Sequence, residues 1–196
     1  MIRGLLFSPL LTEEQCQGKV ADRDLRSVEQ FVSQSRRRER LTWRAMLYEF
    51  LGEQVEIEYL DGAPIVVDRD IHIGVSHTTD MVAVVVADNP CAVDIERKDR
   101  DVSRISNRFF RAEERQMAEN SLCQLAMWCA KECYYKLCRD RSIDILRDIE
   151  ITALDLAGGS VTACDSRGGS AEMKIEQMAE HVALRRQQQE NPPRID

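Results

Sequence analysis

The sequence predicts an α+β protein. Residues 36–51 and 123–139 space their apolar side chains as helices with one buried face do. Residues 55–59 alternate Val55, Ile57 and Tyr59 with Glu56 and Glu58, the pattern of a half-exposed strand. Short strand-like segments recur after each helical stretch, at 65–67, 71–75 and 81–87 and again between 161 and 184. Both halves thus carry helices and strands in a similar helix-then-strands order. At 196 residues the chain can bury one sizeable core, or two small halves sharing one.

Taken in order, the first 11 residues are apolar but include Pro9 and run into Thr12-Glu13-Glu14 without a small-residue cleavage site. They read as a first strand and not as a signal peptide. Residues 13–34 are polar with irregularly spaced apolar positions and read as helix. Ser33 or Ser35 suits the start of the next helix, whose buried face is Leu41, Trp43, Ala45, Met46, Leu47, Phe50 and Leu51; Gly52 supplies its stop. Asp61-Gly62-Ala63-Pro64 is turn chemistry, as is the polar island Ser76-His77-Thr78-Thr79-Asp80. Residues 81–87 are apolar throughout, which predicts a strand buried on both faces. Asp88-Asn89-Pro90 turns the chain, residues 107–120 read as a helix, residues 144–156 end in a strand, and Ala157-Gly158-Gly159-Ser160 reads as a hairpin turn. Residues 185–196, with three successive glutamines and Pro192-Pro193, read as a mobile tail.

Composition narrows the function classes. A formal net charge of −7 argues against a general nucleic-acid binder, and the longest apolar run is too short to span a bilayer. There is no sequence repeat, P-loop or glycine-rich dinucleotide fingerprint. The cysteines, at 16, 91, 123, 129, 133, 138 and 164, are odd in number, lack a Cys-x-x-Cys and fall largely on one predicted helix. That pattern is neither a zinc site nor a disulfide framework, and it suits buried reduced thiols in a cytoplasmic protein. Arg36, Arg37, Arg38, Arg40 and Arg44 are either a solvated helix face or an anion site.

The segment from Cys91 to Lys136 carries the chemistry. In Cys91-Ala92-Val93-Asp94-Ile95-Glu96 two carboxylates stand at i and i+2, sharing one face of a strand. Trp128, Glu132 and Lys136 stand at i, i+4 and i+8, along one stripe of a helix. Two acids from a strand, a third from a helix and a lysine one turn on are suited to enclose a hard divalent cation and an anion. Taken singly, each piece also reads as solvated charge or core.

Together these residues resemble the signature motifs of the 4′-phosphopantetheinyl transferases, Gly-hydrophobic-Asp-hydrophobic-Glu followed by Trp-x-x-Lys-Glu-x-x-x-Lys. The second is matched in full from Trp128 to Lys136, Glu132 lies 38 positions after Asp94, and the first departs at its glycine, which is Ala92. Ile73-Gly74-Val75-Ser76-His77 fits the family's Ser-His pair, whereas its frequent Gly-Lys-Pro is Gly62-Ala63-Pro64 here. The resemblance implies the longer, surfactin-type branch: two similar halves packed as a pseudo-dimer, each a small, mainly antiparallel sheet with helices, and the active site at their interface. It implies an N-terminal half over residues 1–89, a C-terminal half over 90–184 with the metal strand and motif helix, and the tail over 185–196.

The implied activity is magnesium-dependent transfer of 4′-phosphopantetheine from coenzyme A to a serine of an apo acyl or peptidyl carrier protein, with manganese as a substitute metal. Asp94, Glu96 and Glu132 are the implied metal ligands. Glu132 is also the implied base, directly or through water, and Lys131 and Lys136 lie near the phosphates. Arg44, Arg40 and the preceding arginines are expected at the 3′-phosphate, and Ser76 and His77 at the pyrophosphate. No nucleic acid or membrane is implied, and a pseudo-dimer suffices as a monomer. Arg97, Lys98, Arg100, Arg104, Arg108 and Arg111, with Phe109 and Phe110, offer a carrier-docking patch; the alternative is that neighbouring acids offset them and the phenylalanines are core. Two rival functions stay open: a coenzyme- or carrier-binding homologue without activity, and an unrelated magnesium-dependent nucleotide phosphotransferase.

Overall fold

The computed structural model describes residues 1–103, 109–140 and 142–187. It shows a mixed α+β fold built on antiparallel sheets. Strand β1 (Ile2–Pro9) pairs with β5 (Met81–Ala87), and β5 pairs on its other side with β4 (His72–His77). As the central strand, β5 is buried on both faces, which is why its sequence does not alternate. Val82, Val84 and Val86 meet helix α3 (Gln34–Leu51) through Leu41 and Leu47, whereas Ala83, Val85 and Ala87 face Cys91, Val93 and Ile95. Ser33 caps α3 by accepting from Arg36 N, and Gly52 closes it at φ 74°.

Residues 13–34 form two short helices and not one: α1 (Glu13–Cys16) and α2 (Asp22–Val28), separated at Gly18, whose φ of 76° no helix interior accommodates. A hairpin of β2 (Ile57–Leu60) and β3 (Ala63–Val66) follows α3. Ser76 and His77, read from their polarity as part of a turn, are the last residues of β4. Cross-strand pairing with Val82 and Ala83 holds them in the ladder, and the turn is confined to residues 78–80.

The second sheet has the order β6-β10-β9-β8-β7, comprising β6 (Cys91–Arg97), β7 (Ile149–Asp155), β8 (Ser160–Asp165), β9 (Ser170–Gln177) and β10 (His181–Gln187). Helix α4 (Ala112–Met117) precedes α5 (Ser121–Cys138), which lies on this sheet. Leu125, Met127, Cys129 and Cys133 of α5 share a core with Ile149, Val161, Met173 and Leu184. The expected helix over 107–120 is seen as α4; residues 107 and 108 lie outside the described residues. Strand β10 continues past Leu184, since Arg185, Arg186 and Gln187 pair with Val93, Ala92 and Cys91, so residues 185–187, read as the start of a tail, are strand. Residues 188–196 lie outside the described residues.

One close approach sets the site. At Gly74 on β4, a β-carbon would lie 2.9 Å from Val85 Cγ1, 3.0 Å from the Ala92 Cα and 3.2 Å from the Cys91 carbonyl oxygen. Strands β4 and β6 therefore touch backbone to backbone, and two residues further along each, Ser76 comes beside Asp94. The methyl of Ala92 is accepted because it is buried in the cluster around α5. All seven cysteines are free thiols, and among the described residues no helix is long and apolar enough to cross a membrane.

Candidate active site

Strand β6 and helix α5 bring the motif residues together. Asp94, only 5% exposed, accepts through Oδ1 from Lys136 Nζ at 2.7 Å and from Ser76 Oγ at 3.0 Å. Lys136 also donates to Ser76 Oγ at 3.1 Å and to the Val93 carbonyl at 3.3 Å. Ser76 Oγ in turn accepts from Ile95 N at 3.3 Å, so β4, β6 and α5 are tied at one point. Asp94 Oδ2 is buried with no hydrogen-bond partner among the described residues. Burial works against the Lys136 ammonium, but the Asp94 carboxylate and its hydrogen bond outweigh it and raise the pKa.

Two residues along β6 and on the same face, Glu96 Oε1 accepts from Trp128 Nε1 at 3.1 Å and pairs with the Arg100 guanidinium. Arg100 lies over the Trp128 ring, and Phe109 meets that ring edge-on at 4.3 Å. Glu132, half-buried, has its pKa raised first by desolvation and then by the Asp94 charge. Asp94, Glu96 and Glu132 line one cavity of about 320 Å³ together with Ser76, His77 and Lys136. A second cavity of about 440 Å³ shares Val75 and Lys136 with the first; it is walled by the β2–β3 hairpin at Gly62-Ala63-Pro64 and by Ala92, Val93 and Tyr135.

The donor chemistry of this cluster fits a hard divalent cation. Three carboxylates face one cavity, one of their oxygens is buried without a partner, and a lysine stands beside them. As placed, they are not drawn into a ligating set: no group of three or more His, Cys, Asp or Glu side chains arranged to hold a metal is present among the described residues. Glu96 is turned to Arg100 and Trp128.

Not every residue expected at the site is there. Arg44 is 3% exposed and locked to Asp24 Oδ1 at 2.9 Å, to the Arg40 carbonyl and to Tyr59 Oη, stacked on Trp43. It is a core residue and has no free donor face for a phosphate. Arg37 and Arg38 bind Glu13 and the carbonyls of Phe31, Leu10 and Leu11. Arg40 lies between the rings of Phe31 and Tyr59, away from both cavities. His77 lines the first cavity, with Nε2 at 3.4 Å from Glu39. Lys131 is fully buried, donating to Glu114 at 2.9 Å and to the Ile149 carbonyl at 2.8 Å, on the sheet side of α5.

The proposed docking patch is also occupied where it is described. Arg97 binds Asp80 and Asp99, Lys98 binds the Met178 carbonyl, Arg111 binds Glu150, and Phe110 is core. Arg104 and Arg108 lie outside the described residues. Sequence reasoning missed the grip of Arg100 on Glu96, although a four-residue separation of opposite charges was its signal.

The segment that assembles these groups is also the one that known proteins share. Residues 90–186 match the 4′-phosphopantetheinyl transferase superfamily. A domain of that superfamily points to a transferase and to phosphopantetheine transfer. The matched stretch holds α5 and the second sheet up to Gln187, the last residue of β10, and therefore Asp94, Glu96, Glu132 and Lys136. No curated protein matches the chain.

Proposed function

We propose that this chain transfers 4′-phosphopantetheine from coenzyme A to a serine hydroxyl of an apo acyl or peptidyl carrier protein, releasing adenosine 3′,5′-bisphosphate. The observation that carries the reading is the convergence of Asp94, Glu96, Glu132 and Lys136 on one cavity within the superfamily segment. Attack by the serine oxygen on the pantetheine-bearing phosphorus breaks its bond to the bridging oxygen and leaves the bisphosphate. That demands positive charge at the pyrophosphate and an acceptor for the serine proton.

Lys136, kept protonated by Asp94, supplies a fixed charge where leaving-group negative charge develops. Ser76 and His77 border the same space and are the hydrogen-bonding groups for the pyrophosphate oxygens. Asp94, Glu96 and Glu132 are the residues that would hold magnesium or manganese, which when bound acts as Lewis acid and template for the phosphates. Glu132, whose pKa is raised by its surroundings, takes the serine proton directly or through one water. The second cavity, which shares Val75 and Lys136 with the first, receives the nucleotide body of the coenzyme. We read the two sheets as the halves of a surfactin-type pseudo-dimer, divided near residue 89, acting as a monomer in the cytoplasm. Ser76 from one sheet meeting Asp94 from the other supports this.

A second reading has its own observation. The pairing of Glu96 with Arg100 suits a homologue that binds coenzyme A or carrier without turnover. Intact-mass spectrometry of apo carrier proteins incubated with coenzyme A, magnesium and this protein separates the readings. A phosphopantetheine-sized mass gain is expected. Coenzyme binding with no gain on either carrier class would establish the inactive homologue, and nucleotide turnover without carrier would establish a phosphotransferase.

A further inference from the structure

Helix α5 closes at Arg139, whose φ is 50°. Glycine ordinarily takes that left-handed position, as Gly52 does after α3. Among the described residues, only Asp61 and Arg139 combine a side chain with a positive φ, and both line the second cavity. Strained backbone conformations of this kind cluster at sites where a side chain must be held in place.

Arg139 is exposed, and its guanidinium has no hydrogen bond or ion pair with any described residue. Most arginines discussed above are spent on an acid or a carbonyl. Asp140, next to it in the chain and also in the lining, is paired with Arg167, which leaves Asp61 as the other acid of that lining. The charge of Arg139 is felt at His72 and Cys91, the first residues of β4 and β6. Lys136 sits instead at Ser76 and Asp94. Four residues of β4 and three of β6 separate these positions, about 10–13 Å at the usual rise along a strand.

The second cavity is therefore lined by two cations, Lys136 and Arg139, and by a largely apolar wall of Ile73, Val75, Ala92, Val93 and Tyr135. Such a slot fits a nucleotide with anionic groups at two separated points. Coenzyme A has two such groups, the pyrophosphate and the ribose 3′-phosphate. The reacting pyrophosphate belongs with the acids and Lys136. We infer that Arg139 binds the 3′-phosphate, the role for which Arg44 is too deeply engaged. This rests on the transferase reading above and adds a residue to it.

The test compares coenzyme A and 3′-dephospho-coenzyme A by titration calorimetry on the wild type, Arg139→Gly, Arg139→Lys and Arg40→Ala. Glycine relieves the left-handed strain, so Arg139→Gly retains the fold, checked by an undiminished melting midpoint. Arg139→Gly is expected to bind coenzyme A roughly ten- to hundredfold more weakly, as for a lost charge-assisted hydrogen bond. Its affinity for the dephospho form stays at the wild-type level, and lysine restores part of the loss. Equal losses for both coenzymes, no loss for either, or loss of discrimination in Arg40→Ala instead would overturn the inference. If Arg139→Gly keeps wild-type discrimination while the wild type still modifies carrier protein, the inference alone fails. A wild type that binds neither coenzyme removes the inference together with the transferase reading.

Discussion

Replacing Lys131 with methionine tests which side of α5 this lysine serves. Its ammonium and the Glu114 carboxylate are both fully buried, 2.9 Å apart. Glu114 also accepts from Ile151 N at 2.6 Å and from Arg111 N at 2.7 Å, so the pair joins α5 to the start of α4 and to β7. Burial lowers the Lys131 pKa, with Glu114 acting against that shift. Methionine fills the space of the stem but strands a buried carboxylate and the Ile149 carbonyl. Breaking a buried pair from one side costs about 3–5 kcal/mol. At about 2–4 °C per kcal/mol for a chain of this length, the melting midpoint falls by about 6–20 °C. Thermal unfolding followed by circular dichroism reads the midpoint, and calorimetry below the transition reads coenzyme A binding. Affinity is expected to hold, and Lys131→Met combined with Glu114→Gln should recover part of the loss because no stranded charge remains. An unchanged midpoint with a roughly tenfold weaker coenzyme, the size of one charged contact, would refute the burial argument and return Lys131 to the phosphates.

Asp94→Asn and Asp94→Ala should both abolish carrier modification. The alanine variant should also lose about 1–3 kcal/mol in urea unfolding, because Lys136 and Ser76 lose a buried acceptor. Wild-type stability in Asp94→Ala would mean that the acid is a solvated one. Gly74→Ala should cost about 1–3 kcal/mol, since its methyl meets the backbone of Cys91 and Ala92 and cannot be absorbed by a rotamer change. A neutral result there would deny the backbone contact between β4 and β6. Arg44→Met should destabilise by about 3–5 kcal/mol through the stranded Asp24, with the preference for coenzyme A over its dephospho form intact; loss of that preference would restore Arg44 to the phosphate. Excess chelator should stop carrier modification, and magnesium or manganese should restore it; full activity in chelator would remove the metal from the scheme.

Much of the architecture was legible because it follows from local periodicity. The ends of α3 at Ser33 and Gly52, the double burial of β5 and the common face of Asp94 and Glu96 all follow from spacing and capping chemistry. Lys131 shows how a motif can mislead. Adjacent helix positions differ by about 100°, so a stripe through Trp128, Glu132 and Lys136 already turned Lys131 elsewhere. Its partner could not be read at all, because Glu114 reaches it only through the packing of a separate helix. Arg44 was misplaced for a related reason, since its acid lies 20 residues upstream on α2. The polar ends of β4 and β10 looked like turn and tail because side-chain polarity says little about a strand whose ladder bonds are made by the backbone. Arg139 left no glycine to announce a left-handed helix end.

The position of β10 in the second sheet has a consequence for how the protein comes into being. Strand β6 presents two of the three acids, yet its hydrogen-bonded neighbour in that sheet is β10, inserted between β6 and β9. A growing chain thus carries Asp94 and Glu96 long before the strand that bears them gains its ladder partner, although β4, β5 and α5 are already made. From Arg97 to His181, translation takes about 4–17 s at the usual 5–20 residues per second. Through that interval the backbone groups of β6 lack their ladder partner, while Cys91, Val93 and Ile95 can already pack on β5. The second sheet is completed last in the order of synthesis, when residues 181–187 pair with β6 and β9. A nascent chain stalled short of that step would hold Asp94, Glu96, Glu132 and Lys136 but lack the strand that joins β6 to β9.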